Sequence, residues 1–69
     1  MSVYKVIDVI GTSSDSWEDA AAEALRTVRQ TTRDVRVAEV VEQDIHIEEN
    51  GEIAYRSKLQ ISFKYESDR

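Results

Sequence analysis

Glu42, Asp44, His46 and Glu48 occupy alternate positions and carry the densest run of oxygen-donor chemistry in this 69-residue chain. On an extended strand such alternation projects all four from one face. Carboxylate oxygens suit hard cations such as Ca²⁺ or Mg²⁺, and calcium takes about six to eight oxygen ligands. One linear array does not supply that number, whereas copies gathered around a symmetry axis would concentrate the acids. No Asp-x-Asp-x-Asp-Gly loop occurs, which excludes an EF-hand. The plainer alternative is a solvated stretch of strand in which His46 is an ordinary surface imidazole. Glu48, Glu49 and Glu52 would then form a soluble tip.

A second set is basic. Arg33, Arg36 and Arg56 could grip a phosphate group, because a guanidinium fork matches phosphate oxygens. The competing reading is ion pairing between subunits with Glu39, Glu42 or Asp44. Gly11-Thr12-Ser13-Ser14 precedes a helical pattern but lacks the glycines and Lys of a phosphate-binding loop, so it reads as a turn and cap. There is no cysteine and only one His. That removes thiol catalysis, zinc–thiolate sites and disulfides, and it leaves no nucleophile–base–orienter set. The expectation is a protein that is not an enzyme.

The elements that position these residues are few. A chain this short buries only about 60% of its unfolded surface, and a single core of this size rarely supplies more than ~3–5 kcal/mol. With no disulfides, association between copies is the remaining staple. The net charge of −5 disfavours nucleic-acid binding. No apolar run is long enough to span a membrane, and no hydrophobic export signal is visible at the start. One domain over 1–69 in the cytoplasm is the expectation.

Val3 to Ile10 is rich in Val and Ile and reads as a strand. Ser16 is a good helix N-cap, with Glu18 and Asp19 in the first turn. Trp17, Ala20, Ala21, Ala24, Leu25 and Val28 recur at three- and four-residue steps, which predicts an amphipathic helix ending near Thr31 to Asp34, with Trp17 in the core. Val35 to Glu48 and Ile53 to Tyr65 read as two long strands joined by a type I′ turn at Asn50-Gly51. The order is β-α-β-β, an α+β fold with one helix on a three-stranded antiparallel sheet.

A two-residue turn sets Glu49 opposite Glu52, His46 opposite Tyr55, and Val40 opposite Ile61. Ala38, Val40, Leu59, Ile61 and Phe63 then share the helix-facing side. The other side is expected to hold Val35, Val37, Val41, Gln43 and Ile45 beside Arg56, Lys58, Gln60 and Lys64. That mixture is too apolar for a plain solvated face and suits contact with other subunits. A strand of this length reaches roughly 46 Å, so the hairpin must bend around the helix or protrude.

The runs Val3-Tyr4-Lys5-Val6-Ile7-Asp8-Val9-Ile10-Gly11-Thr12-Ser13, Ser16-Trp17-Glu18-Asp19-Ala20 and Val35-Arg36-Val37-Ala38-Glu39-Val40-Val41-Glu42-Gln43, together with Tyr55-Arg56 to Ser62-Phe63, resemble the dodecin family over nearly the whole chain. The resemblance implies a sheet partly wrapped around one helix and twelve copies closing into a hollow sphere. It also implies a storage or protective binder that takes pairs of flavins between subunits. It places the flavin-stacking Trp at Val37, the ring-binding Gln at Arg56, and the nearby acid–Gln pair at Glu42-Gln43. Val37 offers no aromatic plane and Arg56 offers only donors, so the flavin site is expected to be degenerate. A subset carrying Val and Arg at these positions is closer to this chain and includes calcium-binding dodecin.

Overall fold

The computed structural model describes residues 2–65. Residue 1 and residues 66–69, which the single-domain expectation also covers, lie outside the described residues. The order is β1 (Tyr4–Ser13), α1 (Trp17–Arg29), β2 (Val35–Ile47) and β3 (Ile53–Lys64). The sheet is antiparallel throughout, as the sequence predicts, and its strand order is β1-β3-β2. Among the described residues, no helix is long and apolar enough to cross a membrane.

Ser16 caps α1 as expected: its hydroxyl accepts from the Asp19 amide at 3.0 Å. The helix lies on β1 and β3 and touches β2 little. Its small residues set the spacing, with Ala24 buried against Leu59 and Ile61 and Ala20 buried over Gly11. Ile7, Val9, Leu25, Val28 and Val35 close around that centre.

Two expectations change at this interface. Gly11, Thr12 and Ser13 are not a turn but the last residues of β1. Gly11 is where the helix comes closest to the sheet, for a Cβ there would stand 2.0 Å from the Ala20 carbonyl oxygen. The glycine serves close approach, not chain reversal. Trp17 is half-buried at the helix start instead of joining the apolar centre.

The hairpin also differs. Gly51 has φ +89° while Asn50 does not have a positive φ, and a type I′ turn needs both. The Gly51 amide donates to the Glu48 carbonyl at 2.9 Å and the Glu48 amide to the Glu52 carbonyl at 2.8 Å. This is the three-residue loop with a left-handed glycine. The register therefore slips by one from the tip: His46 faces Ala54, Ile45 faces Tyr55 and Asp44 faces Arg56. A bulge between Val40 and Glu42 slips it again, so that Val40 faces Leu59 and Ala38 faces Ile61.

Two single slips restore the side-chain phase. Ala38, Val40, Leu59, Ile61 and Phe63 thus share the helix side as predicted. Between the slips the phase is reversed: Gln43 and Ile45 turn to the helix side, and Glu42, Asp44 and His46 take the outer side. Val35 also faces Phe63 and packs on the core. Of the valines expected outside, Val37 holds its place opposite Ser62, and Val41 sits in the bulge.

The long hairpin protrudes. The molecule measures 53 × 20 × 17 Å with a radius of gyration of 14.3 Å, against roughly 11 Å for a compact chain of this length. It exposes 5326 Å², where a compact monomer of this mass would show roughly 4,400 Å². Apart from Val35, every residue of β2 is exposed.

Candidate functional site

The outer sheet face is built from three strands. Thr12, Arg56 and Asp44 form one row, Ile10, Lys58 and Glu42 the next, and Asp8, Gln60 and Glu39 a third. The row order follows from the bulge, because without it the acids of β2 would point to the helix side.

Asp44 and Arg56 meet fork to fork. Arg56 Nε donates to Oδ1 and an Nη to Oδ2, both at 2.7 Å. This is the short bidentate geometry of a charge-assisted pair. The guanidinium hydrogen bonds hold the Asp44 carboxyl below its ordinary pKa, and the same bonds raise that of Arg56. Glu42 adds a weaker attraction on Arg56. With Ile10 and Lys58 these side chains line a shallow recess of about 90 Å³. Ion pairing of Arg56 between subunits was one expectation; the pair found is within the chain.

Asp44 is held from behind as well. Trp17 Nε1 donates to its main-chain carbonyl at 3.1 Å, and the indole meets the Tyr55 ring edge-on at 5.1 Å. The Trp17 carbonyl accepts from Ser57 Oγ at 2.9 Å. Ser57 is fully buried, so this bond satisfies a hydroxyl that water does not reach. Neither Trp17 nor Ser57 emerges as a site residue from the sequence. The available signal was a Ser standing in the apolar phase of β3, between Tyr55 and Leu59.

The residues of the flavin-type set are not gathered within one chain. Val37 stands opposite Ser62 and Arg56 opposite Asp44, roughly 20 Å apart along the sheet. Gln43 points to the other face from Glu42. Val37 is exposed but aliphatic, and Arg56 is occupied by Asp44.

The cation set is more coherent. Glu42, Asp44 and His46 do share the outer face, and Glu48 follows at the hairpin tip. Among the described residues, no three His, Asp or Glu side chains converge on one point. The carboxylates have the right donor chemistry for calcium, with Glu42 and Glu48 free of the Arg56 pair, while the His46 imidazole is not the oxygen ligand calcium prefers.

A helix laid across two strands of a three-stranded antiparallel sheet, with the third strand bare and acidic, defines a small β-α-β-β protein in which, among the described residues, the acids do not converge within one chain. The sequence model of the dodecin family matches residues 3–66, and the chain belongs to that family. It is 59% identical over 64 residues to calcium dodecin of Mycobacterium tuberculosis, spanning 93% of this chain and 90% of that protein.

Solved structures agree. The crystal structure of that calcium-chelating dodecin, described with a novel calcium-binding site, superposes with a TM-score of 0.87 at 54% identity, covering 99% of this chain and 97% of the other. An arginine-to-alanine variant of Thermus thermophilus dodecin gives 0.87 at 34% identity, covering 97% and 100%. Dodecin from Streptomyces coelicolor gives 0.88 at 29%, covering 97% and 96%.

Proposed function

We propose that this chain, acting over 1–69 as one dodecin-like domain, assembles into a hollow dodecamer that binds a divalent cation, calcium first, and is not an enzyme. The observation that carries the reading is β2: its acids lie bare on one side while Ile45 and Ile47 lie bare on the other. A strand uncovered on both faces loses apolar burial that neighbouring copies would restore. Those copies would also bring further carboxylates to Glu42 and Glu48, the acids that Arg56 leaves free. The calcium-dodecin name of the M. tuberculosis relative supports the same ion.

The flavin-type site is degenerate in this reading. Stacking needs an aromatic plane that Val37 lacks, and Arg56 is engaged. The acidic balance and the lack of cysteine support a cytoplasmic particle whose partners are its own copies and small ligands, not nucleic acid or membrane. Native mass spectrometry tests the proposal: calcium retained by the intact particle and stripped by EDTA supports it. A particle that carries flavin and no divalent ion contradicts it.

A further inference from the structure

Beyond the choice of ion, the Asp44–Arg56 pair bears on what the outer face rejects. Arg56 projects between two acid-bearing strands, and a free guanidinium there would be an anion receptor, since its planar fork matches two oxygens of a phosphate or carboxylate. Asp44 fills that fork with both of its own oxygens at 2.7 Å. The neighbouring cation, Lys58, faces Glu42 across the strands. Arg56 is thus paired with an acid of the same chain and Lys58 stands across from one, while Glu39 and Asp8 in the third row face the neutral Gln60.

The fork is also fixed in place. Trp17 anchors the Asp44 main chain from the helix side, and the flanking bulge sets which face its carboxylate takes. The backbone therefore presents Asp44 on the face, and in the row, that Arg56 occupies.

We propose that Asp44 is the specificity-determining residue of this face: by occupying the Arg56 guanidinium it withholds an anion receptor, so that the face accepts cations and excludes phosphate-bearing ligands. The inference deepens the cation-binding reading and rests on it for the identity of the accepted ligand. The exclusion of anions rests on the pair alone.

The test is titration calorimetry with inorganic pyrophosphate on the assembled protein at fixed low salt. Asp44→Ala is expected to bind pyrophosphate at least tenfold tighter than the parent, and Asp44→Ala/Arg56→Gln to return to the parental level. Glu39→Gln removes the same charge from the same strand without freeing Arg56 and is expected to stay within twofold of the parent. An unchanged affinity in Asp44→Ala overturns the proposal, as does an equal gain in Glu39→Gln or a gain that survives in the double variant. Asp44→Asn, close in shape, carries the comparison if the alanine variant does not assemble; it is expected to gain in the same direction, and no gain there overturns the proposal. Calcium binding by the parent is measured separately: its failure removes the cation reading and leaves the pyrophosphate comparison to be read on its own.

Discussion

The indole Nε1 of Trp17 donates a hydrogen bond to the main-chain carbonyl of Asp44 at 3.1 Å. β2 is held along its length by β3 and the helix otherwise touches it little, so this bond is a local tie between helix and strand. Trp17→Phe keeps a ring against Tyr55 and removes only the donor. The expected loss is about 0.5–1 kcal/mol, with faster amide exchange confined to the Gln43–His46 stretch. Uniformly faster exchange over the chain would contradict a local tie.

Gly11 admits the helix. A methyl group at this position meets main chain, not a side chain that swings away. Gly11→Ala is therefore expected to cost upwards of ~2 kcal/mol through overpacking. Gly51→Ala, whose added Cβ meets nothing within 4 Å but keeps φ +89°, is expected to cost about 1 kcal/mol through backbone strain. Urea unfolding of the two variants gives the ranking.

The Asp44 carboxyl titrates below its ordinary value because Arg56 holds the charged form. A depressed folded pKa contributes stability that is present above the unfolded value, near ~3.9, and is lost as pH falls through the folded one. The melting-temperature advantage of the parent over Asp44→Asn is thus expected to be full at pH 6 and to shrink below about pH 4. An advantage that grows on acidification would contradict the pair.

An aromatic plane is what the flavin-type positions lack. Val37→Trp/Arg56→Gln supplies the plane and the mixed donor–acceptor, and stacking of about 1–3 kcal/mol corresponds to roughly 5- to 150-fold tighter binding. Quenching of riboflavin fluorescence reads the gain. No quenching would mean that neighbouring copies do not bring these positions together.

Much of this was legible in the residues. The three- and four-residue spacing from Trp17 to Val28 placed the helix, and Ser16 marked its start. The alternation in β3 placed the helix-side face. The phase of Glu42 to His46 was not legible, because it depends on a left-handed glycine at 51 and a bulge beside Val41. Each is a one-residue event, and together they cancel only as far as Val37, because a further irregularity between Val35 and Val37 turns Val35 to the helix side. The common face of Glu42, Asp44 and His46 followed from alternation alone. Which partners stand on that face did not, so the choice of Asp44 for Arg56, and within one chain instead of between subunits, emerged only from the structure. Ser57 was overlooked because a polar residue in an apolar phase reads as an interruption, when here its buried hydroxyl is satisfied by the Trp17 carbonyl.

Other copies of the chain are expected to cover β2. Multi-angle light scattering of the purified protein near neutral pH tests it most directly. A particle of about 95 kDa, twelve chains of 7.9 kDa, is the predicted result for a closed symmetric shell. A stable species of one chain, with its second strand bare in solution, would contradict the account.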